Sequence, residues 1–377
     1  MTDFSVDGKT YDRQRVLIIA ELGSSHGGDP AKARRLVEAA AAAGADCVKF
    51  QIIYADEILH PDTGEVALPG GRIRLYDRFR ELEAAPEFYA RLKELVESLG
   101  LLFLCTPFGP RSAAELRALR PSVVKIASPE LNYTALLRET ASWKLPVLLS
   151  TGVSRLEDIE EAAATMKEGG APRICLLHCV TAYPAPERDY NLRLLPRLAA
   201  IFGTAVGLSD HSLDPELAPA LSVAMGAAVV EKHFCLSRND PGLDDPIALP
   251  PEDFARMVRA VRRASGKESG ETLEAYRRSR GGELVEAVLG TGIKELAPSE
   301  RENYRRTNRS IHALRDIAIG ETIGPDMFAV LRTEKVLRPG LPPSMEGEIT
   351  GRRARQFIPA GEGIRLEDIQ GPVAFVD

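Results

Sequence analysis

The stretch AAVVEKH, residues 227–233, is a four-residue apolar run that ends abruptly in Glu231, Lys232 and His233. A short, uninterrupted apolar run reads as a strand buried on both faces, the kind found in parallel sheets. The same design stands just upstream, where 205–208 is followed by Ser209, Asp210 and His211. Working outward, it recurs at 16–20 closed by Glu21, and at 47–50, which carries Lys49 and leads into Gln51. It appears again at 101–105 before Thr106, and at 123–127, which carries Lys125 ahead of Ser128 and Glu130. The remaining runs are 147–149 before Ser150 and Thr151, and 174–177 before His178. Helical patterns lie between them, among them 31–43, 86–98, 155–167, 215–225 and 251–263. Eight strands alternating with helices predict an α/β fold, a (β/α)8 TIM barrel. Such barrels build their sites at the C-terminal ends of the strands, so this rim is the expected active site.

The 377 residues, 44% hydrophobic and 27% charged, suffice for one large domain and a small one. A net charge of −6 argues against general affinity for nucleic acid or an anionic membrane, so an anionic ligand needs a local basic pocket. Five cysteines (47, 105, 175, 179 and 235), mostly in or beside strands, read as reduced thiols rather than a disulfide framework. The first fifteen residues lack an apolar signal segment and no run reaches 18 apolar residues; the expectation is a cytoplasmic protein.

The barrel pattern spans 1–265. Residues 266–309 read as a linker with one charged helix over 271–289 and a basic, solvated run at 301–309. From 310 to 377 the pattern becomes β-rich. ALRDIAIGETIGPDMF (313–328) and ARQFIPAGEGIRLEDI (354–369) form a weak internal repeat with a Gly-Glu turn in each half. A module this small needs a docking surface, on its own barrel or on a partner. The long segment 53–85, with turn punctuation at 69–71, is a candidate lid or specificity loop.

Alternation along a strand turns Lys49, Gln51 and Lys125 toward the barrel mouth if Val48, Phe50, Val124 and Ile126 face the helices. Inward ammoniums need anions. They can bind a phosphate together with the hydroxyls of Thr106, Ser128 and Ser209, or form internal salt bridges to Glu21, Glu130 or Glu231. His211 and His233 close neighbouring strands, where they can share a divalent ion with open positions or bond to backbone. Glu21 and Glu130 are the acid–base candidates. The loop PGLDDP (241–246) is either a capped turn or a substrate clamp.

Taken together, the segments IIAELGSSHGGD (18–29), AGADCVKFQ (43–51), CTPF (105–108), VKIASPE (124–130), PVLLSTG (146–152), LLHCVTAYPAP (176–186), GLSDHS (207–212), EKHF (231–234) and PGLDD (241–245) resemble the sialic acid synthase, or N-acetylneuraminate synthase, family. The C-terminal module resembles the antifreeze-like SAF domain, with RPG at 338–340. The resemblance implies condensation of phosphoenolpyruvate with an N-acetylmannosamine-type sugar to give a nine-carbon 2-keto acid and phosphate. It implies a divalent cation on His211 and His233, Mn2+ in the first place, with Mg2+ or Co2+ as alternatives. Lys49, Thr106, Lys125, Ser128 and Ser209 match phosphate contacts, with Gln51 beside them and Thr181 at another phosphate-contacting position. Glu130 matches the acid–base carboxylate near C2. Glu21 and Asp244 match residues that hold or activate the sugar, and Tyr183 matches a residue of the N-acetyl pocket. Arg338 matches a SAF-domain arginine that reaches the sugar of a partner subunit, which implies a homodimer. Departures at Ser25-His26, Pro129, Gly70-Gly71 and the loop RPGLPP cluster near the acceptor and leave its identity open. Two other readings remain: another phosphoenolpyruvate-dependent ulosonate synthase or an aldolase, and a non-catalytic carbohydrate- or ice-binding protein.

Overall fold

The structure, a computed structural model, describes residues 3–68, 71–334 and 336–371. The expected turn at Pro69-Gly70 and the end of the C-terminal module, 372–377, lie outside the described residues. An antiparallel hairpin of β1 (Phe4–Val6) and β2 (Lys9–Tyr11) comes first. The barrel begins with β3 (Leu17–Gly23) and β4 (Cys47–Ile52). An excursion then holds the helix Ala55–Ile58, a hairpin of β5 (Glu65–Leu68) and β6 (Gly71–Arg74), and the helix Leu75–Glu81. The barrel resumes with β7 (Leu102–Pro107), β8 (Val124–Ile126), β9 (Val147–Ser150), β10 (Ile174–Cys179), β11 (Ala205–Asp210) and β12 (Val229–His233). These eight strands are parallel, in the order β7-β4-β3-β12-β11-β10-β9-β8, and the outermost two lie against each other, so the sheet returns on itself. The outer helices begin with proline at Pro30, Pro86, Pro110 and Pro251, where the fixed φ suits the first turn and no backbone donor is lost.

Strand parity sorts the side chains. Val48, Phe50, Val124 and Ile126 pack in the layer between sheet and helices, as alternation requires. The inward set at the base is apolar: Leu17, Ile19, Cys47, Leu104, Leu148, Cys175, Leu177 and Val229. Phe4, Val6 and Tyr11 of the N-terminal hairpin join this cluster and close the base. The interior is full at this level. A Cβ on Gly207 would stand 2.6 Å from Leu177 Cδ2 and 2.6 Å from the Val229 carbonyl oxygen. One inward step further along, the residues become Glu21, Lys49, Thr106, Lys125, Ser150, Cys179, Ser209 and Glu231, all buried.

The segment after the barrel differs from the expectation in two ways. The helix expected over 271–289 is two helices, Ser269–Arg280 and Gly282–Leu289, because Gly281 takes φ +91, which a side chain disfavours. The second helix buries Val285, Val288 and Leu289 in the barrel's own core. The basic run at 301–309 is not a uniformly solvated face either, since Arg309 is 2% exposed. It opens β13 (Arg309–Ala313), which pairs antiparallel with β14 (Phe328–Arg332). The internal repeat is a structural one. Ile317 and Ile358, equivalent in the two halves, exchange backbone hydrogen bonds of 2.9 and 3.0 Å, and Gly320 and Gly361 take φ of +79 and +81. Ile317, Ile323, Ile358 and Ile364 are buried at the centre of the module. The five cysteines are buried and free. Among the described residues no helix is long and apolar enough to cross a membrane.

Sealing the barrel base is a packing role. Phe4→Ala should lower unfolding stability by roughly 3–5 kcal/mol, as for other buried aromatic truncations. Urea denaturation measures this; an unchanged midpoint would show that the hairpin does not hold the base.

Candidate active site

Above the apolar base the barrel opens into a cavity of about 260 Å3. Its floor is made by residues of inward parity. Lys49, Lys125, Ser150, Ser209 and Glu231 line it, with Ser128 from the turn after β8. Lys49 Nζ lies 2.7 Å from Glu21 and 3.6 Å from Glu231. Lys125 Nζ lies 3.4 Å from the same Glu231 oxygen, which also accepts from Ser209 Oγ at 3.0 Å. The salt-bridge alternative for the lysines is therefore present, but the two are served unequally. Burial works against charge on Lys49, yet Glu21 and Glu231 outweigh it and raise its pKa above the ordinary lysine range. On Lys125 burial prevails over Glu231 and the pKa falls. Burial pushes Glu231 up, but Lys125 and Lys49 hold it down at about 2.

One wall carries the imidazoles. His211 and His233 line the cavity with ring centroids 5.3 Å apart, and Tyr183 stacks on His211 at 4.4 Å. His211 Nδ1 is 2.9 Å from the Val180 carbonyl, which leaves Nε2 free of that bond. His233 Nδ1 is buried with no hydrogen-bond partner, 3.7 Å from an oxygen of Asp244. Burial, then His211, push the His233 pKa down to about 3, so this ring is neutral at pH 7. Asp244 lines the cavity, and Gly23 makes room for it: a Cβ there would meet Asp244 Oδ2 at 2.8 Å and Glu21 Oε1 at 3.2 Å. Its neighbour Asp245 is structural, accepting from Ser25 Oγ and, at 2.8 Å, from the Gly242 N–H. The loop is thus a capped turn through Asp245, and it places Asp244 on the cavity.

The small domain completes the site. Glu130 Oε1 receives Arg309 Nε at 3.0 Å from β13 and Arg332 Nη2 at 2.7 Å from β14. Arg332 also lines the cavity.

Of the residues singled out in the sequence, Lys49, Gln51, Lys125, Ser128, Tyr183, Ser209, His211, His233 and Asp244 converge on this cavity. Glu21, Thr106, Glu130 and Thr181 are buried close by but do not line it. Glu21 accepts from Gln51 Nε2 at 2.6 Å, and Thr181 offers its N–H to Glu300 at 2.6 Å. Arg338 stands apart, its guanidinium 2.6 Å from Asp368 within the small domain. Sequence reasoning placed Ser150 and Glu231 at the rim without assigning them to the ligand site, and it missed Ser24, Cys179 and Arg332 as lining residues. The inward parity of Ser150, Cys179 and Glu231 was a usable signal, whereas Arg332 had none.

Because Glu231 falls from an ordinary value of 4.5 to about 2, its stabilisation is present above pH 4.5 and lost as pH drops through about 2. Glu231→Gln should flatten the pH dependence of stability in that window. It should also cost about 3 kcal/mol at pH 7, because two buried ammoniums lose their shared partner. Urea unfolding from pH 2 to 7 checks both; identical profiles for the two proteins would exclude the role.

The comparisons agree with this architecture. The chain matches the NeuB family over residues 36–272 and the SAF domain over 308–370. It is 35% identical to the spore coat polysaccharide biosynthesis protein SpsE of Bacillus subtilis, over 98% of each chain. The crystal structure of that protein superposes with a TM-score of 0.81, covering 98% of this chain and 100% of the other. The N,N'-diacetyllegionaminic acid synthase of Legionella pneumophila is 33% identical over 94% of each chain. The N-acetylneuraminic acid synthetase of Leptospira borgpetersenii, solved in complex with citrate, is 30% identical, with a TM-score of 0.65 over 74% of this chain and 97% of the other. A buried lysine floor, a histidine pair and a docked C-terminal module are thus the form taken here by a member of the NeuB family that carries a SAF domain.

Proposed function

We propose that the chain is a phosphoenolpyruvate-dependent synthase that joins the three-carbon unit to an amino-sugar aldehyde and releases phosphate, giving a nine-carbon 2-keto acid. One observation carries this reading. Two buried lysines share one carboxylate at the floor of a cavity that also collects buried polar atoms without protein hydrogen-bond partners: Ser24 Oγ, Ser150 Oγ, Glu231 Oε2 and His233 Nδ1. Buried polar groups are otherwise almost always satisfied, so this concentration suits a polar, anionic ligand. The family relationship and the names of the relatives support the reaction class.

In this reading the phosphate lies on Lys125 and Lys49, with Ser128, Ser150 and Ser209, which line the cavity, supplying hydroxyls. Lys125 is the better receiver, because burial has left its charge the less compensated of the two. C3 of phosphoenolpyruvate attacks the aldehyde carbon and forms the new C–C bond. Water adds to C2, the bond between C2 and the phosphate oxygen breaks, and the hydroxyl proton leaves as the ketone forms. Glu130 is the carboxylate assigned to proton exchange near C2; its Oε2 has no protein partner, while Oε1 is held by the two arginines. Glu21 and Asp244 hold the sugar from the β3 and β12 sides, and Tyr183 faces its acyl group. Arg338 of a second copy, in a homodimer, remains a proposal from the resemblance; within one chain Arg332 is the SAF arginine at the cavity.

The residues fit a divalent cation, Mn2+ in the first place. Two buried imidazoles face the cavity, one neutral with an unpartnered nitrogen. Among the described residues no group of three or more His, Cys, Asp or Glu side chains forms a closed ligand set, so water or substrate would complete the shell. Bound there, such an ion would polarise the aldehyde oxygen.

Phosphate release from phosphoenolpyruvate, dependent on an amino-sugar aldehyde, tests the reaction; an aldolase would release none. Lys125→Ala should lower kcat/KM for phosphoenolpyruvate about ten- to hundredfold, the worth of a lost charge-assisted contact. Unaltered phosphoenolpyruvate kinetics would refute the anion site. For the cation, calorimetry with Mn2+ on chelator-treated protein should show one ion per chain. Binding that persists in a His211→Ala, His233→Ala double variant would place it elsewhere.

A further inference from the structure

The outward ends of three neighbouring strands depart from the pattern of the others. On the face turned to the helices, β3, β4, β8 and β9 close with Leu22, Ile52, Ile126 and Leu149, all in the main core. On β10, β11 and β12 the residues of that parity are His178, Asp210 and Lys232, each buried. Asp210 and Lys232 are direct partners in the β11–β12 register, one step beyond Ser209 and Glu231. Both side chains are wholly buried, and Lys232 Nζ lies 2.7 Å from Asp210 Oδ2. Neither lines the cavity. The pair stands behind it, immediately before His211 on one strand and immediately before His233 on the other.

The two histidines are held by different means. His233 is still in the sheet: it pairs with Glu21 of β3, and its carbonyl accepts from the Leu249 N–H at 2.8 Å. His211 lies one residue past the end of β11, where the strand ladder has stopped. Its N–H donates to the Tyr190 hydroxyl at 2.8 Å, and its carbonyl accepts from the Ala185 N–H at 3.0 Å. The ion pair serves the next residue. The Ser212 N–H donates to Asp210 Oδ1 at 2.8 Å, and the Ser212 carbonyl accepts from Lys232 Nζ. Tyr190 closes the circuit, since its hydroxyl donates to Asp210 Oδ1 and its own carbonyl accepts from His178 Nε2. Every backbone polar group of 211–212 is thus satisfied, and all but the His211 carbonyl by this network. A buried ion pair adds little net stability over packed hydrocarbon, but breaking it is costly, so it holds its surroundings to one geometry. We propose that Tyr190, Asp210 and Lys232 are positioning residues for the histidine pair: they fix His211 where both imidazoles reach one divalent cation. This rests on the cation reading of the two imidazoles and extends it to the residues behind the sheet.

The test makes two measurements on chelator-treated protein: calorimetry with Mn2+, and amide hydrogen exchange read by mass spectrometry over the segment 207–213. Tyr190→Phe removes one hydroxyl and almost no volume. Lys232→Met removes the ammonium; where it does not fold, Tyr190→Phe decides. Phe4→Ala, in the apolar base of the barrel, is the control for a loss of packing remote from the histidines. Tyr190→Phe should weaken Mn2+ binding about ten- to hundredfold, the usual cost of losing a partner that orients a metal ligand. It should also speed exchange over 207–213. Phe4→Ala should leave the Mn2+ affinity as it is in the wild type. Unchanged affinity or unchanged exchange in Tyr190→Phe, or an equal loss of affinity in Phe4→Ala, overturns the proposal. If the wild-type protein binds no Mn2+ while exchange rises in Tyr190→Phe and not in Phe4→Ala, the cation reading falls and the hold of the network on His211 stands.

Discussion

Glu231 lies between two lysine ammoniums, 3.6 Å from Lys49 and 3.4 Å from Lys125, inside a barrel whose lower half is sealed with hydrocarbon. Removing three charges from water is costly, and only mutual compensation makes it tolerable. That requirement shapes much of what surrounds it. Glu21 must approach Lys49 to 2.7 Å, and Gln51 in turn steadies Glu21. Gly23, at the end of β3, leaves room for two acids: a Cβ there would lie 2.8 Å from Asp244 Oδ2 and 3.2 Å from Glu21 Oε1. Glu21 and Glu231 outweigh burial on Lys49 and raise its pKa, whereas on Lys125 burial outweighs Glu231 and lowers it.

A second carboxylate joins the two domains. Glu130 leaves the turn after β8 and receives guanidinium groups from both strands of the SAF sheet. Arg309 extends the contact by donating to the Phe108 carbonyl at 2.7 Å and to the Glu57 carbonyl. Docking of the small domain is therefore inseparable from the wall of the cavity, since Phe108 lines it and Arg332 lies 5.4 Å over the Phe108 ring. The linker takes part as well. Glu300, 1% exposed, accepts the Val153 and Thr181 N–H groups at 2.8 and 2.6 Å, pinning two barrel loops at the rim. A chain segment read as a connector is thus part of the site's support.

The alternation of apolar runs and helical patterns was enough to place eight strands, because a parallel strand buried on both faces has a composition that survives without tertiary information. Parity within those strands placed Lys49 and Lys125 inward for the same local reason. The weak repeat at 313–328 and 354–369 was legible through its paired Ile and Gly positions, which the structure joins at Ile317 and Ile358. The split of the helix at Gly281 was not taken from the sequence, although a glycine stood there; a charged amphipathic pattern ran across it and masked the break.

By itself, then, the sequence determined which side chains stand at strand ends and which way they face, because both follow from spacing along one strand. Only the tertiary structure decided which of them meet. Arg332 lies 202 residues from Glu130, and no periodicity connects them. Arg309 looked like one more residue of a solvated basic run until β13 carried it onto a buried carboxylate. Likewise Leu75 and Phe79 carried no chemical signal, and became a wall of the cavity once the excursion folded back over the floor. Contacts of this kind depend on how far the chain must travel before it returns, and that is set by the packing of the whole barrel and its docked domain rather than by any local pattern.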